Sequence, residues 1–487
     1  MTHDDSVKPV RHTILTFLAR FGAFSVLLTS TALAQRGPSP SPPIVLRGVT
    51  IVDVEARHPD QALKKDQTVL ITGTRITAVG PRIRIPPGAT ILDAKGKFAI
   101  PGLWDMHVHI ADPSYFAMFI ANGVTGVRDM GGAAAHANDG CESIVADSLF
   151  AWRTRIQSGR MIGPRVLISG PAVSGTGGTT SLPVRTRDEA RRAVDSLRSL
   201  RVDFVKVYEK IPLDAYRALL EEAAKAHLPV AGHVPVETIT LAQAAKAGQR
   251  SIEHVRDHLL TCFTRDRNEL MRFFQADQWS ASDIEWGLAR HGECGAATAE
   301  FRKRSTWLVP TLSVERAKVA VEETRFFGDP ARALLPRSVQ DGFAKYRSAK
   351  LAQPSSERAS EHLWWKTQER LVADMNHRGV GMLAGTDAAC QGGIPGVSLH
   401  EELRLMVESG LTPFEALKTA TINPAKYQGA TDKLGAIRSG YSADLVILDR
   451  NPLDDISNTK TIHSVVAGGR LLRRSELDTL LTLLNRQ

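Results

Sequence analysis

Cysteine and aromatic residues are scarce in this chain. Only four cysteines occur among 487 residues, and 6% of the residues are aromatic. Cys141, Cys262, Cys294 and Cys390 stand far apart, which excludes the short paired spacing of a zinc knuckle and the density of a small disulfide scaffold. No sign of charge dominates. The 61 Lys and Arg outnumber the 52 Asp and Glu by only nine, and they are dispersed among acids rather than gathered into a stripe, so nucleic acid is not an expected partner. Beyond residue 34 no apolar run is long enough to cross a bilayer, so no stable membrane span is expected in the mature chain. What remains, 43% hydrophobic and 23% charged residues, is the composition of a globular protein. The length predicts two or three domains, or one barrel with an appendage.

The first 34 residues read as a signal peptide. Lys8, Arg11 and Arg20 precede Phe21 to Ala34, a run without charge that is too short to span a membrane. It ends in Ala32-Leu33-Ala34, a small-x-small cleavage signal before Gln35. Export to the periplasm or to the medium follows, with an uncleaved anchor as the alternative. In an oxidising compartment four cysteines favour disulfides, and Cys262 and Cys294 flank an insertion-like segment that they are placed to staple. Reduced, buried thiols are the other reading.

Past a Pro/Ser-rich linker, Ile44 to Asp53, Thr68 to Thr72 and Gly73 to Gly80 alternate as short strands. From Phe98 the texture changes to apolar strands separated by amphipathic helices. Eight strands are expected: Leu103–Val108, Gly126–Arg128, Arg165–Ser169, Asp203–Val207, Val230–Gly232, Ser251–Glu253, Trp307–Pro310 and Gly381–Ala384. The expected fold class is therefore α/β, a (β/α)8 TIM-type barrel over residues 101–427. After Pro424 strands return, at Ala443 to Asp449 and Ile462 to Ala467. Residues 35–100 and 428–487 are expected to join in one small β-sandwich domain made from both chain ends.

Polar residues recur at the carboxyl ends of those barrel strands, where barrel active sites lie. The first strand ends in Asp105-Met-His107-Val-His109, whose two-residue spacing puts both imidazoles on one face of an extended chain. Lys206 stands inside an otherwise apolar fourth strand, followed by Tyr208 on the same face. His233 and His254 close the fifth and sixth strands, and Asp387 follows the eighth. Lys206 is either an ion-pair partner or, desolvated and neutral, an amine able to take up carbon dioxide as a carbamate. The set suits two divalent metal ions, zinc first, with manganese, iron or cobalt as alternatives. His107, His109 and Asp387 would hold one ion, His233 and His254 the other, and carboxylated Lys206 with a hydroxide would bridge them. Such a pair acidifies bound water and stabilises an oxyanion. Asp387 is the expected general base and acid. Tyr208 is either a donor to the substrate or a structural tyrosine.

These residues, with Ile100-Pro-Gly-Leu-Trp before them, Leu308-Val-Pro-Thr-Leu312, Gly410 to Leu417, Ala420 to Ala425 and Gly440 to Val446, make nearly the whole mature chain resemble the amidohydrolase superfamily. The branch it is most similar to is the imidazolonepropionase-like and Xaa-Pro dipeptidase-like group. The resemblance implies a binuclear metal barrel with a carboxylated lysine, a split β-sandwich, and hydrolysis of amide C–N bonds in dipeptides, N-acyl amino acids or amide-linked toxins. One motif departs from it. Where many relatives carry Gly-Gly-His after the third strand, this chain has Thr176-Gly-Gly-Thr179, so substrate specificity transfers less well than reaction type.

The expected activity is thus an exported metal-dependent hydrolysis of small amides. A hydrolase of cyclic amides or lactones is the alternative within the fold, and a solute-binding protein without catalysis is the alternative outside it. The segments Phe263–His291 and Glu315–Trp365 read as either a lid or a solvated helical skin. Homo-oligomerisation is left open.

Overall fold

The computed structural model describes residues 42–131, 146–176, 181–236, 238–255, 295–323 and 327–484. Its first strands are β1 (Ile44–Val52), β2 (Leu63–Thr72), β3 (Arg75–Gly80), β4 (Thr90–Asp93) and β5 (Phe98–Pro101). Then follow β6 (Leu103–Val108), β7 (Val124–Asp129), β8 (Arg165–Ile168), β9 (Ala172–Ser174) and β10 (Ser181–Pro183). The next four are β11 (Val205–Val207), β12 (Val230–Gly232), β13 (Ser251–Glu253) and β14 (Trp307–Val309). Near the carboxyl end lie β15 (Leu445–Leu448), β16 (Ile462–Ala467) and β17 (Arg470–Arg473).

The two ends of the chain share one sheet of eight strands, in the order β17-β16-β15-β5-β1-β2-β3 with β4 on β1. The seam is the antiparallel pair of β5 and β15, with Phe98 opposite Leu448 and Pro101 opposite Leu445. Period-two alternation gives this sheet two apolar faces. Leu445 and Ile447 pack with Leu46, Val69 and Ile71 in one core, whereas Val446 and Leu448 point into the main core of the α/β region. Each such buried aliphatic side chain contributes about 1.5–3 kcal/mol. The helix Arg474–Leu484 ends this block, where only strands were expected, and it inserts Leu477 into the main core.

The α/β region holds a three-stranded parallel sheet, β6-β7-β8, and a six-stranded one, β10-β9-β11-β12-β13-β14. Backbone hydrogen bonds join them at two places. Asp203 N, just before β11, donates to Ile168 O of β8 at 2.8 Å. On the other side Leu308 N of β14 donates to Gly381 O at 2.9 Å, and Met106 N of β6 donates to Ala384 O at 2.8 Å. The eighth expected strand, Gly381–Ala384, is thus bonded on both sides but forms only a single bridge, Leu308 to Met382. β6 and β7 are buried throughout, as expected of parallel strands covered by helices.

The helices bury one face each. In Arg187–Ser199 the buried residues Ala190, Ala193, Val194 and Leu197 recur at helical spacing, and Thr186 with Glu189 closes a capping box at its start. The stretch Glu315–Trp365 is not a solvated skin: Val339, Phe343, Trp364 and Trp365 belong to the main core. Phe263–His291 and Gly177–Thr179 lie outside the described residues, as do Cys141, Cys262 and Cys294. Cys390 is buried and disulfide-bonded, which removes the reduced-thiol reading for that residue. Among the described residues no helix is long and apolar enough to cross a membrane.

Candidate functional site

Every residue expected at the site lies at or just past the carboxyl end of its strand. His107 and His109 end β6, Lys206 sits in β11 with Tyr208 just beyond, and His233, His254 and Asp387 follow β12, β13 and the Gly381–Ala384 segment. The imidazoles form a continuous chain. Ring centroids are 5.5 Å apart for His109 and His107, 4.9 Å for His107 and His254, and 4.8 Å for His254 and His233. Tyr208 extends this chain, its ring 4.5 Å from that of His233. Asp387 Oδ1 reaches the other end, 3.2 Å from His107 Nε2 and 3.1 Å from His109 Nε2. Lys206 is buried, and its charge bears on His109 and His254.

Two glycines make this crowding sterically feasible. At Gly232 φ is +121°, and a Cβ would stand 2.2 Å from Val207 O and 2.9 Å from Lys206 Cδ. At Gly385 a Cβ would stand 2.8 Å from His107 Cβ. Neither position admits a larger residue, hence Gly before His233 and Gly in Gly-Thr-Asp387. His254, Thr311 and Asp387 have φ of 60°, 51° and 59°. Such left-handed residues cost on the order of 1–3 kcal/mol each and persist where the surroundings hold them.

The residues around these groups were not singled out from the sequence. Glu253 Oε2 lies 2.9 Å from His107 Nδ1, and the buried Arg128 guanidinium holds both Glu253 oxygens, at 2.8 and 2.9 Å. Burial alone would raise the Glu253 carboxyl, but Arg128 and His107 hold it down at about 2. Thr311 Oγ1 is 2.8 Å from His254 Nδ1. Asp105 accepts from Thr386 N and Oγ1 at 3.0 and 2.7 Å, which ties β6 to the turn that carries Asp387. The signal for Asp105, Glu253 and Thr311 was their position one or two residues from a histidine or strand end. Arg128 gave none beyond being a charge in a buried strand.

The protonation states suit a metal. Burial pushes His109 below the usual imidazole range, with Asp387 opposing, and burial aided by the charge of His233 pushes His254 well below it. Burial works against the Asp387 carboxylate, yet the adjacent His107 and His109 rings hold it well below the usual carboxylate range. His109 and His254 are thereby held neutral beside an ionised Asp387 carboxylate, the forms that bind metals. His107 Nε2 and His109 Nδ1 are buried without a hydrogen-bond partner, and one ligand atom each from His107, His254 and Asp387 lie within 4.8 Å of one another. His109, Asp387 and Cys390 form a second such group, but a disulfide sulfur is not a thiolate, so His109 and Asp387 alone remain there.

Residues 98–472 match the model of the amidohydrolase family. The chain belongs to this family. It is a hydrolase acting on carbon–nitrogen amide bonds, as the resemblance implied. Among relatives, ochratoxinase of Aspergillus niger is 26% identical over 445 residues, covering 77% of this chain and 75% of the relative. Among solved structures, bottromycin amidohydrolase superposes with a TM-score of 0.71 at 21% identity, covering 91% of this chain and 89% of that one. A Xaa-Pro dipeptidase with bound methionine in its active site superposes with a TM-score of 0.60 at 20% identity, covering 88% and 100%.

Proposed function

We propose that this amidohydrolase is an exported, metal-dependent enzyme that hydrolyses small amides, either dipeptides of the Xaa-Pro type or N-acyl amino acids. The observation that carries the reading is the convergence of His107, His254 and Asp387 donor atoms with His109, His233 and Lys206 around them. The similarity to ochratoxinase, bottromycin amidohydrolase and a Xaa-Pro dipeptidase supports a substrate of that size and bond type, and extends it to amide-linked toxins.

His107, His109, His233, His254, Asp387 and Lys206, the last as a carbamate, would hold two divalent ions, zinc first. When bound, such ions polarise the scissile carbonyl and lower the pKa of water to about 7. Asp387 takes the water proton at its carboxylate and delivers it to the departing nitrogen as the C–N bond breaks, so that an acid and an amine are formed. Tyr208, half-buried beside His233, donates to the substrate oxygen. Arg128 and Glu253 hold His107 in one tautomer.

We also propose the (β/α)8 barrel over residues 101–427 and the composite β domain from 35–100 and 428–487. The hydrogen bonds from β8 to β11 and from β14 through Gly381–Ala384 to β6 support the first, and the shared eight-stranded sheet the second. Export rests on the signal-like residues 1–34 and suits the disulfide at Cys390.

The test is a hydrolysis panel of dipeptides, N-acyl amino acids, cyclic amides and lactones, run on chain loaded with defined metals. The reading predicts about two metal ions per chain and turnover of linear amides. A chain that takes up no metal, or that hydrolyses only the cyclic substrates, overturns it. Amino-terminal sequencing of the exported protein should begin at Gln35; retention of residues 1–34 overturns the cleavage.

A further inference from the structure

We infer that Glu402 is a positioning residue that holds the segments bearing His254 and Asp387 against one another, and thereby sets the donor geometry of the site. The inference rests on the metal-centre reading above. Glu402 lies on the helix Val397–Glu408, is fully buried, and touches none of the proposed ligands in its hydrogen bonding. Its Oε1 accepts from Leu312 N at 3.0 Å and its Oε2 from Ser313 N at 2.7 Å.

Those two N–H groups open the helix Leu312–Val319. A helix start leaves its first amides without partners inside the helix, and a side chain at the preceding residue usually supplies the acceptor. Here the preceding residue is Thr311, in the left-handed region, and its side chain makes no cap. Its hydroxyl is turned instead to His254 Nδ1, at 2.8 Å. Glu402 therefore caps the helix from another part of the chain, although burial pushes its carboxyl up to about 8 against the hydrogen bonds that oppose it. The cap leaves Thr311 free to orient His254.

The same helix start reaches Asp387. Ser313 Oγ donates to Thr386 O at 3.1 Å, one residue before Asp387, and Thr386 is held from its other side by Asp105. One buried carboxyl group thus fixes two consecutive residues, of which Ser313 restrains the Asp387 turn, while the residue before them restrains His254. Shifting the helix start by a few tenths of an ångström would move both donors.

The experiment compares wild type, Glu402→Gln and Ser313→Ala. Each is stripped of metal and titrated with cobalt(II) against a competing chelator. The dissociation constant, the visible absorption of the cobalt complex and the thermal midpoint are recorded. Glu402→Gln keeps the shape but presents an amide N–H to one backbone N–H, so its cobalt affinity should fall roughly 10–100-fold, with altered visible bands. Ser313→Ala should shift both in the same direction to a smaller extent. Cobalt affinity within twofold of wild type in folded Glu402→Gln overturns the inference, even if the midpoint falls. Should that variant not fold, Ser313→Ala decides, and unchanged affinity and bands there overturn it. A wild-type chain that binds no cobalt overturns the metal-centre reading itself, a result distinct from a loaded wild type matched by an equally loaded variant.

Discussion

His107 Nδ1 faces Glu253 Oε2 at 2.9 Å, with both side chains buried. Because the carboxylate can only accept, Nδ1 must carry the proton, and the lone pair is left on Nε2, the nitrogen that faces Asp387. Arg128 keeps that carboxylate ionised from behind, bonded also to Ser251 Oγ and Tyr427 Oη. A buried charge pair thus chooses the tautomer of a proposed metal ligand.

Arg128→Met removes the cation and leaves Glu253 charged in a dry interior. Breaking a buried pair from one side costs about 3–5 kcal/mol. Urea unfolding at neutral pH should show a loss of that order. A loss below 1 kcal/mol would mean that Glu253 is neutral or solvated.

Asp387→Asn retains the shape of the carboxyl but cannot take a proton from water. Turnover should fall by roughly 10²–10⁴, the usual share of general acid–base catalysis. Since the variant also loses an anionic ligand, metal content must be measured beside the rate. Activity within tenfold of wild type at full metal loading would assign the proton to another group.

Lys206→Ala removes the amine that is proposed to become a carbamate. Turnover should be abolished and one of the two metal ions lost. Wild-type chain stripped of metal should regain activity faster when bicarbonate is added with the metal; reconstitution indifferent to bicarbonate would argue against carboxylation.

His400 is buried between two acceptor-bearing segments, with Nε2 3.1 Å from Asn122 O and Nδ1 2.9 Å from Thr459 Oγ1. Burial, aided by the charge of Lys460, pushes it down from 6.5 to about 3. A depressed value means that the unfolded chain binds the proton first, so the stabilisation is present above pH 6.5 and is lost as pH falls toward 3. The thermal midpoint should therefore drop steadily between pH 7 and pH 4. His400→Gln, which cannot be protonated, should lose part of that dependence, and an unchanged slope would place the acid sensitivity elsewhere.

The convergence of the expected site residues was legible because each is attached to a strand end with its own local pattern. His107 and His109 share a face by strand periodicity, Lys206 interrupts an apolar strand, and Gly232 and Gly385 stand beside His233 and Asp387 for steric reasons. The supporting layer was not legible. Arg128 and Glu253 are 125 residues apart, and Asp105 and Thr386 are 281 apart. No local pattern signals a partner at that distance. The helix Arg474–Leu484 was missed for a similar reason: what favours it is the place that Leu477 finds in the main core.

What the chain carries by itself is the identity of its donors and the strand that presents each one, because strand periodicity and apolar runs are local properties. Which polar groups meet, which nitrogen of His107 faces Asp387, and which carboxylate is held ionised depended on the tertiary structure. Those outcomes come from desolvation and from contacts between segments hundreds of residues apart, and they exist only once the strands are packed side by side.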